Sequence, residues 1–251
     1  MAGHSKWANI KHRKAAKDAK KGKVYSKIAR EITVAARSGG DPSANPSLRN
    51  LLIKARGANM PTDNIERAIK KGTGEGNDGV QFDEIVYEGY APGGVAVIVQ
   101  ALTENRNRTA SEVRHAFTKA GANMGTAGSV SRGFKRRGLV TVPAEGVSED
   151  RLMELVLENG GDDLELEGGT YSITTEPLAM IPVAEAIRAA GIAVESSEVT
   201  MIPDLYTTLT DKGQAKTVLN FVEALEDLDD VQNVYTNLDL SDEILAAMEE
   251  E

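Results

Sequence analysis

Cysteine is absent from the 251 residues, which excludes disulfides, thiolate metal sites and a cysteine nucleophile and suits a reducing compartment. Histidine is scarce: His4, His12 and His115 are the three. None has a partner at a metal-ligand spacing such as H-x-x-x-H, so neither a metal nor a cofactor is expected. Aromatic residues make up 4% of the chain, so its core has to be aliphatic. No apolar run approaches the roughly 20 residues needed to span a bilayer. The basic start is not followed by the apolar stretch of a secretory signal, and no membrane partner is expected. No G-x-S-x-G elbow appears. "GTGEG" has no strand before it and no Lys-Ser/Thr after it, so it reads as a linker rather than a phosphate loop. The runs "EALEDLDD" and "AAMEEE" read as solvated faces and a tail. No catalytic residue stands out, and an enzyme is not expected.

What the chain does have is charge sorted by position. Its net charge is -9. Residues 1–72 nevertheless hold 17 Lys and Arg against 5 Asp and Glu, and residues 106–137 hold 8 against 1. Residues 138–251 hold 4 against 26. Two basic blocks in an acidic body attract a polyanion at the blocks and repel it elsewhere, which restricts how it docks.

Periodicity divides the chain. "YSKIAREITVAARSGG" places Ile28, Ile32, Ala35 and Ala36 on one helical stripe. "NPSLRNLLIKARGAN" offers Asn45 as N-cap and Pro46 at the first helical position, with Leu48, Leu51, Leu52 and Ala55 on one face. "TDNIERAIKKG" buries Ile65, Ala68 and Ile69 and closes on cations and Gly72. "GTGEGNDG" over 72–79 reads as a linker. From residue 82 the period becomes two: "FDEIVYEGY" and "GVAVIVQAL" form a hairpin around Ala91-Pro92-Gly93-Gly94, followed by the helix "TASEVRHAFTKAG". A glycine-rich basic segment comes next. The strand "LVTV", a helix capped by Ser148, the hairpin "DDLELEGGTYSITT", the helix "MIPVAEAIRAAG" and a final strand give the β-α-β-β-α-β order of ferredoxin-like folds. The closing α and β segments complement the earlier β-β-α. The expected fold class is therefore α+β: an N-terminal three-helix bundle followed by two ferredoxin-like α+β domains, one inserted in the other. Expected boundaries are 1–78 for the basic helical domain, 79–131 with 208–251 for the discontinuous domain, and 132–207 for the inserted one.

The first basic block has almost no acids at helical pairing distance across residues 6–30. Its candidate nucleic-acid-binding residues are Lys6, Lys11, Arg13, Lys14, Lys17, Lys20 and Lys21 for phosphates, Trp7 for stacking or for anchoring the arm, and His12 as a hydrogen-bond donor. Arg106, Arg108, Arg132, Lys135, Arg136 and Arg137 are candidates for a second surface. They bracket glycines whose backbone N–H groups can approach a phosphate closely.

"AGHSKWANIKHRK", "GANMPTDNIERAIKKGTGE", "YEGYAPGGVAVIVQALTENRNRT" and "VRHAFTKAGANMGTAGSV" resemble the signatures of the YebC/PmpR family of probable transcriptional regulators. That family also includes mitochondrial translational activators of cytochrome oxidase. The resemblance runs from residue 2 to about 240 and implies three domains, two of them α+β with one inserted in the other. Mitochondrial members carry a presequence ahead of the first motif. Here the motif begins at Ala2, so the expectation is a bacterial cytoplasmic protein.

The resemblance implies a DNA-binding transcription regulator. A ribosome-associated factor contacting ribosomal RNA and regulating translation is the alternative. No helix-turn-helix with a clear recognition helix stands out, and a basic arm with one aromatic suits folded RNA as well as duplex DNA. A third reading, a protein-interaction module or enzyme with no nucleic-acid role, requires that removing residues 1–23 leave function intact.

Overall fold

Three aliphatic stripes spaced at helical period cannot be buried singly, and they meet around one small core. The computed structural model describes residues 21–75, 82–241 and 243–244. Helices α1 (Lys21–Ala35), α2 (Pro46–Gly57) and α3 (Thr62–Thr73) pack Ile28, Ile32, Leu48, Leu52, Ala55, Met60, Ile65 and Ala68 together. Asn45 caps α2 as expected, its Oδ1 accepting the Leu48 N–H at 3.0 Å. Its Nδ2 lies 2.8 Å from each of the Ala35 and Gly39 carbonyls. One buried side chain thus ties the end of α1 to the start of α2.

The role expected of Gly72 falls elsewhere. The residue that ends α3 in the left-handed region is Gly74, at φ 81°. Gly72 is instead where α3 lies against α1, since a Cβ there would run into the Thr33 carbonyl and the Ala36 methyl. Of the expected linker, residues 72 and 73 belong to the helix, and residues 76–81 lie outside the described residues.

Strands β1 (Asp83–Ala91) and β2 (Val95–Thr103) form the expected antiparallel hairpin across Pro92–Gly94. Helix α4 (Arg106–Lys119) and the two-residue strand β3 (Asn123–Met124) follow. The chain then forms a second sheet. This comprises β4 (Phe134–Pro143), helix α5 (Glu149–Glu158), β5 (Gly161–Glu167), β6 (Thr170–Thr175), helix α6 (Met180–Ala189) and β7 (Ser196–Pro203). Its order is β5-β6-β4-β7 with antiparallel neighbours, the ferredoxin-like arrangement. Ser148 stands before α5 as expected, yet its side chain makes no capping hydrogen bond.

After β8 (Thr207–Leu209), helix α7 (Lys212–Glu226) leads to β9 (Val231–Thr236) and β10 (Leu238–Leu240). Strand β9 joins β2, completing the first sheet in the order β3-β1-β2-β9. The first sheet thus draws strands from both sides of the second in sequence, and the fold is α+β with one unit inserted in the other. Val95, Val97 and Val99 point at α4 and α7, where Phe117 and Phe221 meet edge to face at 4.9 Å. The opposite face of β2 packs Ala96 and Ile98 against Val130 and Phe134, which joins the two sheets.

Candidate nucleic-acid interface

Of the first block's candidates, Lys6, Trp7, Lys11, His12, Arg13, Lys14, Lys17 and Lys20 lie outside the described residues, and Lys21 opens α1. The six candidates of the second block can all be placed. Arg106, in the first turn of α4, makes a bidentate pair with Asp83 at 2.8 and 2.9 Å, holding that carboxyl below its ordinary pKa. Arg108 reaches Asp230 at 2.8 Å and Lys135 reaches Asp204 at 2.7 Å. Arg137 pairs with Asp162 at 3.2 Å and with Glu176. Among the described residues no acid pairs with Arg132 or Arg136, and both are exposed. A phosphate approaching the other four has to compete with a carboxylate already in place.

The fold does not bring these six together. Arg106 is tied to the first residue of β1, whereas the segment leading to Arg132 lies over the strand's other end. There the Gly125 N–H donates to the Glu88 carbonyl and the Tyr90 hydroxyl to the Ser129 carbonyl. At about 3.3 Å per strand residue these positions are roughly 15–20 Å apart. Lys135, Arg136 and Arg137 belong to β4, which begins earlier than the apolar run "LVTV" indicated. Alternation along the strand sends Arg136 to the face opposite Lys135 and Arg137.

The glycine-rich segment also differs from expectation. Its backbone donors are turned toward a carboxylate of the protein itself. Glu88 accepts N–H groups from Gly128 at 2.8 Å, Val130 at 2.6 Å and Ser131 at 2.9 Å, together with the Ser131 hydroxyl at 3.0 Å. Burial pushes this carboxyl up, and the four hydrogen bonds outweigh that and hold it below its ordinary pKa. A nest of N–H groups suited to an anion is present, and it is filled from within.

Three cations of α1 are likewise used inside the molecule. Lys23 pairs with Asp227 at 2.7 Å, Lys27 donates to the Glu226 carbonyl at 2.9 Å, and Arg30 donates to the Asp229 carbonyl. Burial draws the Lys27 ammonium below its ordinary pKa against the field of Glu226. At spacings of four and three these cations share one face and meet the C-terminal end of α7, where the helix dipole favours positive charge. Arg30 also lies 3.6 Å from Asp230, which accepts from Arg108, Thr103 and Thr109. Burial raises the Asp230 carboxyl, and these hydrogen bonds lower it further than burial raises it.

Beside this contact a cleft of about 560 Å³ runs between α1 and α3. Tyr25, Ser26, Ala29, Arg30 and Thr33 line it from α1, with Asn64, Arg67, Ala68 and Lys71 from α3. Phe82, Glu104 and Asp230 close its end. Arg67, Lys71, Tyr25 and Phe82 are not among the candidate residues that the sequence offers. The four-residue step from Arg67 to Lys71 was the available signal. Among the described residues no group of three or more potential ligand side chains is placed to hold a metal ion, and no helix is long and apolar enough to cross a membrane. His115 is an exposed residue of α4.

Residues 5–75 match the family model for the TACO1/YebC protein N-terminal domain, and residues 82–238 match that for the TACO1/YebC second and third domain. A probable transcriptional regulatory protein of Rubrobacter xylanophilus is 51% identical over 98% of each chain. One from Geobacter sulfurreducens is 53% identical over 97% of this chain and 98% of its own. The crystal structure of a conserved hypothetical protein from Aquifex aeolicus superposes with a TM-score of 0.80 at 48% identity. It covers 91% of this chain and 94% of that one.

Proposed function

This chain belongs to the TACO1/YebC family, and we propose that it is a non-enzymatic, nucleic-acid-binding regulator of gene expression acting in the cytoplasm. The observation that carries the reading is the segregation of charge, with 17 Lys and Arg against 5 acids in residues 1–72 and 4 against 26 after residue 138. The relatives' name, probable transcriptional regulatory protein, favours duplex DNA as the target. The basic arm of residues 6–21 supplies the phosphate contacts in this reading, with Arg132 and Arg136 as further contacts whose charge no acid of the described residues offsets.

One observation favours ribosomal RNA instead. Five of the seven cations that α1 and α2 carry are bonded within the protein: Lys23, Lys27 and Arg30 to the end of α7, Lys54 to Glu31 at 2.8 Å, and Arg49 to the Pro42 and Ser43 carbonyls. A helix committed in this way is poorly placed to read base edges.

Sucrose-gradient sedimentation of lysate at two salt concentrations, beside promoter-fragment binding by the purified protein, separates the two targets. Selective duplex binding without ribosomal migration supports the DNA regulator. Salt-sensitive migration with ribosomal subunits and no duplex selectivity supports the translation factor. Absence of both overturns the nucleic-acid reading.

A further inference from the structure

Among the described residues no side chain fills the cleft between α1 and α3. Small residues, Ala29 and Ala68 among them, form part of its lining, and its volume of about 560 Å³ lies within the roughly 300–1,000 Å³ typical of small-ligand sites. Two aromatic rings face it. The Tyr25 hydroxyl donates to the Asn59 carbonyl at 2.8 Å, which fixes that ring, and the Phe82 ring has the Lys71 ammonium 5.4 Å from its centroid. Arg67 and Lys71 stand one turn apart on α3. Among the described residues Arg67 donates only to neutral oxygens, the Asp63 carbonyl and Asn64 Oδ1. No carboxylate pairs with either cation among the described residues. Of the two acids at the end of the cleft, Asp230 is already bonded to Arg108, Thr103 and Thr109, and Glu104 is exposed.

Two cations a helical turn apart suit a phosphate, and aromatic rings lining a cleft beside small residues suit a planar base. We propose that this cleft binds one nucleotide, its phosphate on Arg67 and Lys71 and its base against the Tyr25 and Phe82 rings. The nucleotide comes either from an unstacked position in a bound strand or from solution as a free monophosphate. In the first case the proposal deepens the nucleic-acid reading and rests on it. The basic arm then holds the phosphate chain without regard to sequence, and the cleft takes the single residue that leaves the stack.

The full-length protein is titrated with uridine monophosphate and with a single-stranded RNA hexamer carrying 5-iodouridine. Arg67→Ala/Lys71→Ala and Lys11→Ala/Lys14→Ala/Lys17→Ala variants are run in parallel, with circular dichroism to check folding. The expected result is a loss of about tenfold or more in the cleft variant for whichever ligand the unmodified protein binds, as two charge-assisted hydrogen bonds warrant. Photo-crosslinks in the unmodified protein fall on Tyr25 or Phe82, a readout independent of how the variant folds. Hexamer binding that is lost in the arm variant, unchanged in the cleft variant and crosslinked elsewhere overturns the cleft and leaves the nucleic-acid reading standing. Binding of uridine monophosphate without hexamer affinity, abolished in the cleft variant, upholds the cleft as a free-nucleotide site and removes the bound strand as the source of its nucleotide. Binding of neither ligand overturns the cleft, and the nucleic-acid reading is then decided by the duplex and ribosome assays above.

Discussion

Glu88 and Val130 are held 2.6 Å apart, carboxylate oxygen to backbone nitrogen, on the face of the first sheet that packs Ile98 against Val130 and Phe134. The contact fixes the segment that leads from β3 into the inserted unit. Replacing Glu88 by Ala leaves the N–H groups of Gly128, Val130 and Ser131 without their acceptor. The expected cost is about 3 kcal/mol of unfolding free energy, measured by urea denaturation. Glu88→Gln, which keeps one acceptor oxygen, should lose about half as much.

The same carboxyl sets a pH dependence. Glu88 and Asp230 both have folded-state pKa values below their ordinary ones. Their contribution to stability is therefore complete above the ordinary carboxylate range and lost as pH falls through the folded values. Denaturation midpoints should be flat from pH 7 to about 5 and fall below about pH 4. In Glu88→Gln the fall should be shallower, and a profile with the wild-type slope would rule out this assignment.

Gly72 and Gly74 separate two reasons for glycine. Gly72→Ala places a methyl against the Thr33 carbonyl and forces α1 and α3 apart, at an expected cost of about 2–3 kcal/mol. Gly74→Ala meets nothing within 4 Å but keeps a φ of 81°, so it should cost about 1 kcal/mol. Thermal unfolding of the two variants ranks them.

Removing the three cations of α1 that meet α7 should free the helical unit without unfolding either sheet. In a Lys23→Ala/Lys27→Ala/Arg30→Ala variant, amide exchange at residues 226–231 should quicken and the radius of gyration in solution scattering should rise. Exchange within β2 should stay slow. A wild-type scattering curve would mean that the remaining contacts, Arg37 to the Phe82 carbonyl and Lys71 to the Phe82 ring among them, hold the unit in place.

If the protein binds nucleic acid, its cations should differ by whether they are already paired. Arg136→Ala should reduce the slope of log K against log salt by about 0.7–0.9, and a triple replacement of Lys11, Lys14 and Lys17 by about 2–3. Arg106→Ala should have a smaller effect on the slope, since a phosphate there first has to displace Asp83.

Much of the architecture was legible because local signals agreed. The stripe of Ile28 and Ile32, the cap at Asn45 and the Pro-Gly-Gly turn after Ala91 each combine a period with a stop. The β-α-β-β-α-β order disclosed the inserted unit. Strand β4 was read five residues short because "FKRRG" has no alternation of apolar and polar residues until Leu139. The partners of the second block were beyond reach. Arg108 and Asp230 are 122 positions apart, and nothing in either neighbourhood points to the other. Glu88 sits in an ordinary alternating strand, with no local sign that its side chain would be enclosed by a segment 40 residues later.

The insertion also dictates an order of events during synthesis. Val99 of β2 pairs with Val234 of β9, so the first sheet stays open at that edge until residue 234 has been made. The β4–β7 sheet has all of its strands some thirty residues earlier. It is free to fold while the apolar edge of β2 still waits for its partner, and closing that edge across so long a loop is the slow, aggregation-exposed step. A newly made chain halted before residue 231 would therefore contain one finished sheet and one unfinished.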